Sequence, residues 1–172
     1  MDLSCVMFTH DLAYVGTITI PDGYRFFDVL NRPVLSAQLG TIDRNDIIQM
    51  RDANIILGDE IRNATQLQIN RRSILLAYDE QPRMGDDQER AIALKTHRPE
   101  SAEVVLSNGF LIRGTTKGFF FKQDAKLFIA INGASVSRLD GSPVPLLDRE
   151  LPFLAVNTYQ IASYCVGVDL PV

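Results

Sequence analysis

The chain reads as all-β: a tandem duplication of one small barrel or sandwich of about five strands, with at most one or two short helices. Two observations carry this. Short blocks rich in β-branched residues recur in the same order in the two halves. Between them stand Gly, Asn, Asp and Pro, the residues of tight turns.

In the first unit, 1–78, "YVGTITI" (14–20) has strand composition and runs into "PDG", where Gly23 accepts the positive φ of a tight turn. "YRFFDVL" (24–30) then starts the returning strand. The stretch 31–46 is irregular, with room for one helical turn. "DIIQMRDANIIL" (46–57) is an apolar run broken by a polar pair, which gives either one bent strand or two strands around "RD". "LQINRRSILLAY" (67–78) has the look of a hairpin turning at Asn70-Arg71-Arg72.

Residues 79–101 form a charged linker opened by Pro82 and Gly85 and closed by Pro99. Within it "DDQERAIALK" (86–95) has an acidic first turn and good helix formers, so a short helix is one outcome. The second unit, 102–172, repeats the scheme. "AEVVL" reaches the Asn-Gly turn "SNG", "FLIRGTT" returns, and "KLFIAINGASVSRL" is bent or broken at "NG". "LAVNTYQIASYCV" turns at Asn157-Thr158-Tyr159.

The matches between units are specific to residues. "TITIPDGYRF" (17–26) answers "EVVLSNGFLI" (103–112), with Gly23 against Gly109. "IIQMRDANII" answers "FIAINGASVS", with Ala53 against Ala134. "QLQINRRSILLAY" answers "FLAVNTYQIASYC", with Asn70 against Asn157.

Composition narrows the function classes. The 172 residues are 46% hydrophobic and 22% charged, enough apolar material for a packed core. The net charge of −4 disfavours a nucleic-acid binder, whose affinity comes from neutralising phosphates, although one face can still be basic. No window approaches the roughly 18 apolar residues of a membrane span, and the acidic start "MDLSC" lacks the basic region of a signal peptide. A cytoplasmic protein without membrane contact is expected. Cys5 and Cys165 read as free thiols, with a staple between the chain ends as the alternative.

Once the blocks are laid out, two resemblances stand out. The stretch "VVLSNGFLIRGTTKGFFFKQDAKLFIAINGASV" resembles the first motif of the Sm and Sm-like proteins: strand, Asn-Gly turn, "RG" strand, loop, long bent strand. "LAVNTYQIASYCV" is similar to their closing motif. The resemblance implies a small five-stranded barrel and a ring-forming RNA binder. The chain departs from it where the family's RNA-base pocket would stand, reading Lys122-Gln123-Asp124-Ala125, and it has Asn157-Thr158 where the closing motif has Arg-Gly. The first unit resembles a group of uncharacterised small bacterial proteins through "GYRFFDVLN" (23–31), "MRDANI" (50–55) and "INRRSI" (69–74). That group implies no activity.

No catalytic constellation emerges, so the protein reads as a non-enzyme. His10 and His97 are the only histidines and have no metal-ligand spacing. Asp28, Asp52, Asp124 and Asp148 sit at turns and strand ends, and "RGTTKG" lacks the length and ending of a phosphate loop. Neither a cofactor nor a metal is expected. Arg71 and Arg72, flanked by Asn70 and matched by Asn157, are candidates for clamping a phosphate, a carboxylate or a partner. Phe119, Phe120 and Phe121 cannot all face inward on one strand, because side chains alternate, so this cluster is a candidate self-association surface. The expectation is a self-associating scaffold or protein-interaction module, a homo-oligomer with room for another protein partner. An Sm-like RNA-binding ring is the less favoured alternative.

Overall fold

The computed structural model describes residues 1–31, 46–80, 99–116 and 126–167. The all-β expectation holds: the described residues carry ten strands, one six-residue helix and two 3-10 turns. They fall into two compact units. The first takes residues 1–80 with 126–128 and 155–157, and the second takes the rest of the described residues.

In the first unit the strands are β1 (Asp2–Phe8), β2 (Ala13–Thr19), β3 (Ile47–Leu57), β4 (Glu60–Asn70) and β5 (Leu76–Asp79). Their neighbour order is β5-β1-β2-β3-β4, each pair antiparallel. The second unit has β6 (Glu100–Leu106), β7 (Phe110–Thr116), β8 (Phe128–Arg138), β9 (Leu151–Asn157) and β10 (Ile161–Val166), in the order β10-β6-β7-β8-β9. Each unit thus sets its fifth strand beside its first and leaves its fourth after its third.

Alternation explains the second unit directly. Ala102, Val104 and Leu106 on β6 and Phe110 and Ile112 on β7 point into the core, while residues between them are more exposed. The first unit's core gathers Met7, Ile18, Ile20, Leu30, Met50 and Leu75, all at 2% exposure or less. Both units bend at the same place. The β2–β3 register shifts between Val15 and Thr17, and the β7–β8 register shifts between Arg113 and Thr115. Gly16 and Gly114 stand at the shifts because the third strand passes too close for a side chain. A Cβ on Gly16 would lie 2.8 Å from Met50 Cγ, and one on Gly114 would lie 2.5 Å from Ile131 Cγ2. Asp52 and Gly133, at φ 49° and 53°, mark the bend on the facing strands.

Three local expectations need correction, and one open choice is decided. The "PDG" turn does not return a strand: it leads into helix α1 (Phe26–Asn31). Asp28 Oδ2 accepts from the Arg25 N–H at 3.2 Å, the reciprocal half of a capping box. Phe26, Val29 and Leu30 bury one helical face. The hairpin partner of β2 is instead β1, so Gly23 and Gly109 do not occupy matching turns. By bulge position, Gly16 answers Gly114. Of the two options for 46–57 and 126–139, the single bent strand is the one adopted, as β3 and β8. The segments at 70–72 and 157–159 are 3-10 turns rather than hairpin tips (Arg71–Ser73 and Thr158–Gln160). They carry the chain away from β4 and β9, so β5 pairs with β1 and β10 with β6. The short helix expected at 86–95 lies outside the described residues, as does nearly all of the irregular stretch 31–46.

Candidate functional site

Arg71 opens the first 3-10 turn, and its side chain turns inward. Only 7% of the residue is exposed. Its guanidinium donates to Leu30 O at 3.1 Å and to Asp46 Oδ1 at 2.8 Å. Arg72 reaches the other oxygen of the same carboxylate, Asp46 Oδ2, at 2.9 Å while remaining exposed. A single Asp therefore holds both arginines. Arg71 is thus a buried structural anchor rather than an exposed turn-tip arginine, with its Nε lacking a hydrogen-bond partner among the described residues. Arg72 alone keeps an exposed cationic face.

The matched asparagines do different work. Asn70 Oδ1 accepts from the Arg72 N–H at 2.9 Å and caps the turn, with its side chain in solvent. Asn157, which folds with the first unit, is fully buried. Its Nδ2 donates to Ile74 O at 2.7 Å and to Arg72 O at 3.3 Å, and its N–H donates to Leu75 O at 2.9 Å. It ties down carbonyls at the end of the 3-10 turn, so its assignment as a surface contact is also corrected. The motif residues of the first unit are accounted for in the same way. Arg25 and Asp28 cap α1, Asn31 Oδ1 accepts from Phe128 N at 2.9 Å, Asp52 makes the bend, and Ala53 and Ile74 are core.

Phe119, Phe120 and Phe121 lie outside the described residues, as do His97 and Asp124. His10 sits exposed in the β1–β2 turn, and Asp148 is exposed on the loop after β8. Among the described residues no three His, Cys, Asp or Glu side chains gather where a metal ion could be held. No helix among them is long and apolar enough to cross a membrane. Both cysteines are free, Cys5 buried and Cys165 exposed; burial pushes the Cys5 thiol well above its ordinary pKa.

The structure also identifies two particular strand edges. β4 pairs with β3 on one side and β10 with β6 on the other. Among the described residues, no strand pairs with the second edge of either. An unpaired edge presents a row of backbone donors and acceptors to any strand that fits. The edge of β5 is different: it receives the end of β9, Ala155–Asn157, which folds with the first unit in the register Leu76↔Val156 and Ala77↔Ala155. Beyond the bend, β3 and β4 also expose apolar side chains, Leu57 at 46% and Ile61 at 66%. No protein-family model matches the chain, and neither a curated protein nor a solved structure does.

Proposed function

We propose that this chain is a non-catalytic assembly module: a duplicated pair of Sm-like five-stranded units that associates with further copies of itself, or with another protein, through its strand edges. One observation carries the reading. A fifth strand, β5, accepts the end of a fourth strand, β9, while another fourth strand, β4, and another fifth strand, β10, have open edges among the described residues. The shared strand order and the bulge glycines Gly16 and Gly114 support the duplicated, Sm-like reading. The exposed Leu57 and Ile61 support a surface that meets a partner.

RNA binding is the second reading, favoured by exposed Arg72 on one 3-10 turn and by Tyr159, 75% exposed, on the other. Against it stand the commitment of Arg71 to Asp46 and the net charge of −4. Purification with and without nuclease separates the two. The assembly reading expects a mass of several chains by light scattering and a protein-like 260/280 ratio under both conditions. A monomer at high micromolar concentration overturns it, and a nuclease-sensitive mass moves the assignment to RNA.

A further inference from the structure

Resting on the reading of self-association through strand edges, we infer that the edge of β4 binds the edge of β4 in a second copy, about a two-fold axis at Ile61. The two strands run antiparallel. Ile61 meets Ile61 of the other copy, and Glu60 of each copy meets Arg62 of the other.

An apolar line leads to this edge. Val156, Leu76, Phe8, Ala13, Ile56 and Ile61 are successive cross-strand partners from β9 to β4. Residues directly opposite one another project from the same face of a sheet, so the six form one row. The first four are buried, Ile56 is half-buried and Ile61 is 66% exposed. The row therefore leaves the core at β4, whose outer edge no strand pairs among the described residues. A strand added there sets its own side chain next in the row.

Backbone phase opens the same segment. Leu57 and Glu60 close the two-residue turn Gly58-Asp59 as a hydrogen-bonded pair. Glu60 and Arg62 thus direct N–H and C=O at β3, while Ile61 and Asn63 direct theirs outward. The open segment is short. The β3–β4 ladder passes from Ala53↔Ala64 to Arg51↔Gln66, because Asp52 stands at φ 49° and bends the strand. A ladder begun at the tip stops before Thr65.

Charge selects both the occupant and the register. Glu60 and Arg62 flank Ile61, both exposed, and Arg62 donates to Glu60 Oε2 at 2.8 Å. Read backwards, acid-isoleucine-base is its own complement. A second copy centred on Ile61 therefore sets each carboxylate opposite a guanidinium, and four alternating charges cover one face of the joined strands. The two isoleucines lie together on the other face, where they continue the apolar row. Centring the axis on Glu60 or on Arg62 instead would put that residue opposite its own like charge, which is destabilising directly across an antiparallel pair. The contact is isologous and closes on itself, so this edge joins chains two at a time.

Charge exchange on the full chain tests the arrangement, with pairing read by sedimentation velocity over a concentration series and folding by circular dichroism. Glu60→Arg and Arg62→Glu each set like charges opposite one another at both ends of the contact. Each alone is expected to weaken pairing roughly tenfold or more. The double variant Glu60→Arg/Arg62→Glu is expected to recover it. An equimolar mixture of the two single variants is expected to recover it as well, because every facing pair is again opposite in charge. The mixture is the decisive arm: neither variant in it keeps the Glu60–Arg62 bond within its own chain, so the recovery has to come from across the contact. Wild-type association that neither single variant changes overturns the β4 contact and leaves self-association standing. Loss in the single variants without recovery in the mixture overturns the two-fold register. A wild type that stays monomeric at high micromolar concentration overturns this inference together with the reading it rests on.

Discussion

The two units end their third strands in opposite ways. β3 turns straight into β4 through Gly58-Asp59, with Gly58 at φ 56°, and the two strands stay paired from Leu57↔Glu60 down to Ile47↔Asn70. β8 instead runs into a loop over residues 139–150 that folds back on itself. Arg138 N donates to Ser142 O, Ser142 N to Asp140 Oδ1, and Leu147 N to Val144 O. That loop lowers Val144 and Leu147 into the core, at 4% and 1% exposure, whereas the first unit's hairpin leaves Leu57 and Ile61 in solvent. One connection covers a unit with its own side chains, and the other prolongs an edge and leaves apolar groups for something else to cover. Strand order alone does not decide which unit offers a surface; the connection after the third strand does.

The largest expected effect separates those two loops. Leu147→Ala removes a fully buried side chain and should cost about 2–4 kcal/mol, read from the urea midpoint. Ile61→Ala should change stability by no more than about 0.5 kcal/mol while reducing association. If Ile61→Ala destabilises the isolated chain as much as Leu147→Ala does, Ile61 belongs to a core and the contrast fails.

Next comes the Arg71–Asp46 anchor of the first 3-10 turn. Asp46→Ala strands the guanidinium of buried Arg71 and should cost about 2–3 kcal/mol, because an uncompensated buried charge outweighs the lost attraction. Arg72→Ala removes only the exposed arginine on the same carboxylate and should cost less than about 1 kcal/mol. Equal losses would mean that the buried guanidinium is not what anchors the turn. Calorimetric melting of the two variants gives the answer.

The bends allow a finer comparison. Gly114→Ala drives a Cβ against Ile131 Cγ2 at 2.5 Å and Asn132 O at 2.7 Å. Neither the β-branched side chain nor the backbone can yield, so the change should cost about 2–3 kcal/mol. Gly16→Ala meets Met50 Cγ and Sδ at 2.8 Å and Arg51 O at 2.9 Å. The thioether chain can swing away, so about 1–2 kcal/mol is expected. Reversal of that order would show that the Arg51 carbonyl, rather than the side chain, sets the limit.

These positions also show what can be read from the sequence. The second unit is legible because Val104, Leu106, Ile112 and Val136 alternate with more exposed residues around an Asn-Gly turn. β1 is not, since Val6 is its one β-branched residue and its turn, 9–12, contains no Gly. α1 is disguised as a strand because Tyr, Phe and Val favour strands, although Phe26, Val29 and Leu30 stand at helical spacing with Asp28 placed to cap them. Asn70 and Asn157 do match each other, but burial divides their roles, and burial depends on partners remote in the chain. Arg71 pairs with Asp46 across 25 residues, a link no local pattern announces. Open edges are a property of pairing, which no stretch of sequence displays.

The smallest effect contrasts one group in each unit at high pH. In the first unit, burial raises the Cys5 thiol above its ordinary 9.0, and in the second, partial burial followed by the Glu100 carboxylate pushes Tyr164 up to about 12. In both cases the folded state keeps its proton after the unfolded chain has lost it. The folded state then binds more protons than the unfolded state, so stability falls as pH rises. For Cys5 the loss begins above pH 9.0, and for Tyr164 it begins near 10.0 and levels off near 12. Because Tyr164 is only partly buried, solvent screens its share, and the thiol should dominate. Cys5→Ala is therefore expected to flatten the decline of the urea midpoint between roughly pH 9 and 10, and Tyr164→Phe to flatten the weaker decline above it. The thiols themselves give the companion reading: a thiol reagent should modify Cys165 in the native chain and Cys5 only after unfolding. Native modification of Cys5 at the rate of Cys165 would mean that β1 is not the buried strand on which the first unit's order depends.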